Sequence, residues 1–191
     1  MSLQVVLLKW QAWLLLALGR RAAARARFER MLGLVPRDAY ALASLAHLDA
    51  LGGERAQAIA RYRELLAVHP EHTLAWFNLG FLLEEAEDWD GARAAFERAT
   101  AIDPKLDRAW YGLGLVLIRL QRYDDAVAAL KRNTELQPMS PYGWYQLARV
   151  HVDRHETDEA VKIIRRLKEF EPKVAAQLER ETGLLVAPVG R

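Results

Sequence analysis

Apolar and polar positions in this chain recur in blocks. From Asp107 to Leu120 apolar residues fall at helical spacing. A polar turn, "QRYDD" at 121–125, follows, and a second helical stretch carries Ala126, Val127 and Leu130. The block stops before Pro138, because the residue preceding a proline disfavours the α region and proline donates no backbone bond. Pro36, Pro70, Pro104, Pro138 and Pro172 stand 34 residues apart without a slip. Aligned on them, other columns appear. Leu42, Trp76, Trp110 and Trp144 share one, and Leu45, Leu79, Leu113 and Leu147 another. Small residues follow at Ala46, Gly80, Gly114 and Ala148. Alanine recurs at Ala24, Ala58, Ala92, Ala126 and Ala160, and four residues later comes Phe28, Tyr62, Phe96, Leu130 or Ile164.

Each block reads as two helices joined by a polar turn. Pro104 ends one helix, Asp107 is placed to cap the next, and Trp110 reads as that helix's bulky knob. Gly114 and Ala126 are small where the paired helices must approach. No block can bury its apolar face alone, so the expected fold is all-α, with repeats stacked on their neighbours around a continuous core.

The runs Trp76–Leu79–Gly80 and Trp110–Leu113–Gly114 carry a resemblance. With Ala92, Phe96, Ala99, Pro104, Ala126, Leu130 and Pro138 they resemble the tetratricopeptide repeat. The resemblance covers about residues 5 to 172. It implies a right-handed superhelical solenoid of five helix-turn-helix repeats, at about 5–38, 39–72, 73–106, 107–140 and 141–174, in a single domain. The first repeat departs from the pattern, with Leu8, Gln11 and Ala12 in the Trp, Leu and Gly columns. After Pro172, "KVAAQLERETG" reads as a capping helix at about 175–183, stopped by Gly183, with a tail at 184–191.

The resemblance also implies a function: a non-enzymatic adaptor or scaffold whose concave groove, lined by the first helix of each repeat, binds a peptide or protein segment. The residues outside the packing columns there are Tyr40, His47, Phe77, Asn78, Phe81, Arg108, Tyr111, Arg119, Tyr142, Tyr145 and Arg149. They make an aromatic groove edged with arginines, the residue types that dominate interface energetics. A ligand carboxylate is expected to meet Arg108 or Arg149. Members of the family that bind chaperone tails clamp a C-terminal carboxylate with Lys, Asn and Arg. Asn78 and Arg108 occupy two such places here, but Ala43, His47 and Gly112 occupy the others, so that ligand is not expected.

The stretch "LQVVLLKWQAWLLLALG" (3–19) is apolar almost all round and is followed by basic "RRAAARARFER" (20–30). A helix apolar on all sides is buried or meets a membrane. It has no basic leading region and no clear cleavage site, unlike a signal peptide. As a span it is short and contains Lys9, with Trp10 and Trp13 near its middle. Two readings stand beside the adaptor. The helix presents Trp10, Trp13 and Leu16 to a protein partner or a second copy, giving a homo-oligomer. Or residues 3–30 contact a membrane surface, making the chain a membrane-peripheral assembly factor.

Composition narrows the rest. The 191 residues contain no cysteine, which removes disulfides and thiolate chemistry. Net charge is +2, with no basic stripe along the whole body, so no nucleic-acid partner is expected. No metalloprotease, phosphate-loop or nucleophile-elbow motif is present, and no cofactor is expected. The histidines of "HPEH" (69–72) fall in a repeat-boundary loop. His151 and His155 are four apart, but His151 occupies an interior column, so neither pair is expected to hold a metal. The Ala/Arg-rich, Lys-poor composition suggests a bacterial source, and the expected location is the cytoplasm, with membrane association under the second reading.

Overall fold

The computed structural model describes residues 2–187. The described residues form eleven α-helices and no strand. The chain forms two compact units that divide after Asp88. The first holds α1 (Leu3–Ala17), α2 (Arg21–Leu34), α3 (Ala39–Leu51), α4 (Arg55–Val68) and α5 (Thr73–Glu85). The second holds α6 (Trp89–Ile102), α7 (Asp107–Arg119), α8 (Tyr123–Leu136), α9 (Pro141–Asp153), α10 (Thr157–Phe170) and α11 (Pro172–Thr182).

Helix starts follow the period. First helices begin at Ala39, Thr73, Asp107 and Pro141, second helices at Arg21, Arg55, Trp89, Tyr123 and Thr157. The turn inside each pair follows it as well. One residue per turn adopts the left-handed conformation: Gly19 (φ 70), Gly53 (φ 82), Glu87 (φ 59), Gln121 (φ 58) and His155 (φ 60). Only the first two are the residue type that adopts it without a steric cost. His155 therefore lies in a turn beyond α9 and does not share a helical face with His151.

The proline and tryptophan columns are bonded to each other. The indole Nε1 of Trp76, Trp110 and Trp144 donates to the carbonyl of Pro70 (2.8 Å), Pro104 (3.0 Å) and Pro138 (3.0 Å). The indole thus ties the loop that ends one repeat to the first helix of the next. Trp110 is half-buried, a loop clasp and not the core knob the pattern suggested. Leu42 has no donor for the corresponding Pro36 carbonyl, and is fully buried instead. Asp107 also differs from expectation. It is the first residue of α7, Leu106 holds the cap position, and no side chain bonds there. Its carboxylate acts on the helix dipole from the first turn. Where a cap bond exists, Ser2 accepts from the Val5 amide at 3.4 Å, Asp38 from the Ala41 amide at 2.8 Å and His72 from the Ala75 amide at 3.2 Å.

The cores are built from the predicted columns. Ala24, Ala58, Ala92, Ala126 and Ala160 are all fully buried, as are Phe28, Tyr62, Phe96, Leu130 and Ile164. In the first unit Val5, Leu8 and Ala12 of α1 pack with Phe28, Met31, Leu45 and Leu48. In the second, Leu130, Leu147, Ile164 and Leu167 pack with Ala175 and Leu178 of α11. A Cβ on Gly114 would lie 2.7 Å from Cγ and Cδ2 of Leu130, so α7 and α8 meet at a distance only glycine permits.

Two polar residues sit where the interior column calls for leucine. Asp49 occupies the column of Leu83 and Leu117, has no exposed surface, and forms ion pairs at 2.6 Å with Arg25 of α2 and Arg61 of α4. His151, in the same column, is buried, and its Nδ1 lies 2.6 Å from Glu156.

The helix after the last repeat starts at Pro172, where proline is tolerated in the first turn, and ends on Gly183 at φ 73. Beyond it, Leu184 and Val186 pack against the second core. The Val186 amide donates to Glu179 (2.8 Å), and Lys168 bonds both Glu179 and the Val186 carbonyl. The expected tail at 184–191 is thus held as far as Val186, and its residues 188–191 lie outside the described ones.

Candidate functional site

The candidate groove residues divide between the two units. In the second, α7, α9 and α11 enclose a groove of about 280 Å³. Its walls are Tyr111 from α7, Tyr142, Tyr145 and Gln146 from α9, and Val174 and Gln177 from α11, with Pro141 at one end. Tyr111, Tyr142 and Tyr145 reach one groove because first helices of successive repeats lie side by side. Tyr142 is 70% exposed, a large aromatic ring held in solvent.

The electrostatics of this groove differ from the arginine-edged picture. The Tyr145 hydroxyl donates to Glu181 of α11 at 2.6 Å, and the Arg149 guanidinium donates to that hydroxyl at 3.1 Å. Arg149 also lies 3.4 Å from Glu181. The Tyr145 bond holds the Glu181 carboxyl below its ordinary range, helped by Gln177, while the same hydroxyl raises the Arg149 guanidinium above its own. Arg149 is therefore matched by an acid inside the chain, and the groove beside it is neutral, with tyrosine faces and glutamine amides. Arg119 is placed elsewhere, its guanidinium 5.8 Å from the centre of the Trp89 ring. Arg108 is exposed near the start of α7.

In the first unit, Tyr40 meets Phe28 edge-on at 5.8 Å and lies under Lys9, whose Nζ is 4.2 Å from the ring centre. His47 is exposed on α3. On α5, Phe77 is half-buried and Phe81 is about half exposed. Asn78 donates to the buried Tyr62 hydroxyl at 3.0 Å, a packing role. Burial raises the Tyr62 hydroxyl above its ordinary value, and the Asn78 bond opposes that.

Of the candidate residues on α1, Trp10 and Trp13 are more than half exposed and meet edge-on at 6.0 Å. With Val6, Lys9 and Tyr40 they line a second cavity of about 570 Å³. Leu16 is half-buried against the first core. No helix among the described residues is long and apolar enough to cross a membrane. Among them no group of three or more metal-ligating side chains comes together. His69 bonds the Arg37 carbonyl at 3.2 Å, and His72 caps α5.

Val174, Gln177 and Glu181 were not among the sequence candidates. Their signal was present: the helix after the last repeat takes the place of a further first helix, and first helices line the groove.

Helix pairs of fixed length, repeating every 34 residues and packed on their neighbours within each unit, define a helical-repeat protein. Two tetratricopeptide-repeat profiles match the chain, over residues 52–107 and 83–145. Solved structures agree over nearly its whole length. MamA (residues 41 to the end) from Desulfovibrio magneticus RS-1 superposes with a TM-score of 0.78 at 20% identity, covering 96% of this chain and 99% of that one. YrrB, described as a TPR protein with an unusual peptide-binding site, gives 0.79 at 18% identity, covering 88% of each chain. PilF from Pseudomonas aeruginosa gives 0.69 at 21% identity, covering 94% and 92%. Comparison with curated proteins finds no match. The chain belongs to the tetratricopeptide repeat family.

Proposed function

We propose that this chain is a non-enzymatic adaptor that binds a segment of another protein in the groove of its second unit. The observation that carries the reading is the convergence of Tyr111, Tyr142 and Tyr145 on one open groove. Tyrosine offers large contact area for two side-chain torsions, so ordering it costs little entropy. The groove volume suits one or two side chains of an extended peptide, with the Gln146 amide placed to bond its backbone. Because Arg149 is matched by Glu181, the preferred segment is apolar or aromatic rather than acidic. The family is typically a protein-interaction module, and YrrB, of the same fold, is described as having a peptide-binding site.

The test is peptide selection on the full chain from a random displayed library. Selected peptides should compete for one site, bind Tyr111→Ala and Tyr142→Ala at least tenfold more weakly, and leave the far-ultraviolet dichroism of both variants unchanged. Peptides that bind both variants as tightly as the parent would place recognition elsewhere.

A further inference from the structure

We propose that the outward face of α1 is an interfacial docking surface that seats the chain on an anionic lipid bilayer. The proposal is independent of the groove. An apolar helix cannot tell from its sequence which side it buries. The structure shows that Val5, Leu8 and Ala12 turn inward and nothing else on the helix is fully covered. On the opposite side Leu3, Leu7, Trp10, Leu14 and Leu18 follow one another at helical spacing, each more than half exposed, with Trp13 beside them. Taking about 200 Å² for each side chain, this face offers roughly 700 Å² of apolar surface, where monomers rarely expose more than a few hundred in one patch.

Charge selects the occupant. From Ser2 to Phe28 the chain carries Lys9, Arg20, Arg21, Arg25 and Arg27 and no acid at all. Arg25 is paired with Asp49. The others border the face: Lys9 lies over Tyr40 on one flank, Arg27 donates to Gln11 on the other at 3.0 Å, and Arg20 and Arg21 stand exposed beyond its end. An apolar strip rich in leucine and tryptophan inside a basic rim is the pattern of a helix lying in a headgroup layer. Each basic residue near an anionic surface raises partitioning about fivefold. A second copy would bring the same cations against each other without a compensating acid. The 15 residues of α1 lie on the bilayer and do not cross it.

The experiment is co-sedimentation of the full chain with phosphatidylglycerol–phosphatidylcholine vesicles and with pure phosphatidylcholine vesicles. Sedimentation velocity without lipid is run alongside. Partitioning onto the anionic vesicles should exceed that onto neutral ones at least tenfold and fall with added salt. Leu7→Glu/Leu14→Glu, two exposed positions, and Arg20→Glu/Arg21→Glu should each lower it at least tenfold with helical dichroism intact. Equal binding to both vesicles, or none to either, overturns the proposal, as does binding that survives both variants. A dimer without lipid that Leu7→Glu/Leu14→Glu converts to monomer overturns it in favour of a second copy. Capture of an acidic helical peptide in place of vesicles overturns it in favour of a protein partner.

Discussion

Asp49 offers the sharpest test of how the first unit is held. Its carboxylate has no exposed surface, while the Arg25 and Arg61 side chains that flank it at 2.6 Å keep 32% and 27% of theirs. The asymmetry sets the order of effects. Arg25→Met/Arg61→Met leaves a buried carboxylate with no partner, which costs about 3–5 kcal/mol. Asp49→Leu removes the buried charge and restores the side chain that Leu83 and Leu117 place in this column, and the two arginines can reach water. It should cost about 1 kcal/mol or less, because replacing a buried ion pair with a packed apolar side chain removes the desolvation penalty together with the pairing. The triple variant should recover most of the double variant's loss, because a hydrophobic cluster often replaces a buried ion triad without penalty. Urea denaturation of the four proteins, followed by far-ultraviolet dichroism, gives the cycle. If Asp49→Leu costs as much as the double arginine variant, pairing and not desolvation governs the site, and the argument fails.

Three further outcomes follow from single contacts. Trp110→Phe keeps most of the ring but removes the donor to Pro104, and should cost about 0.5–1.5 kcal/mol in the same denaturation experiment; no change would make the indole bond incidental. Gln121→Gly should stabilise by about 0.5–1 kcal/mol, seen as a higher Tm, since φ 58 strains a residue with a Cβ; a lower Tm would show that the Gln121 side chain is needed. Glu181 is held below 4.5, so its bond to Tyr145 contributes above that ordinary value and is lost as pH falls through the lower, folded one. Acid titration followed by the Tyr145 ring resonances should therefore show the Tyr145–Glu181 bond lost in that acid range while α11 stays packed on the core, and Glu181→Gln should abolish the transition.

The groove was half legible in the sequence. Tyr111, Tyr142 and Tyr145 were readable because the period places them on first helices and outside the packing columns. Glu181 was not, because its bond to Tyr145 joins residues 36 apart on helices that meet only once α11 folds back as the next helix in line. That bond turns an arginine-edged groove into a neutral one. Asn78 shows the same limit: its column marked it for recognition, while the Tyr62 hydroxyl of the preceding helix claims its amide.

The sequence by itself determined what recurs. The 34-residue spacing of proline, tryptophan and alanine set the helix starts, the turns and the buried columns, because local propensity and helical periodicity act over short stretches and repeat with them. Only the tertiary structure decided what happens once. It buried Asp49 between arginines of two other helices and tied His151 to Glu156, both in a column the pattern reserves for leucine. It chose which side of the uniformly apolar α1 faces the core and which faces out. Such choices rest on contacts between helices, and those depend on which side chains from distant parts of the chain arrive at the same place.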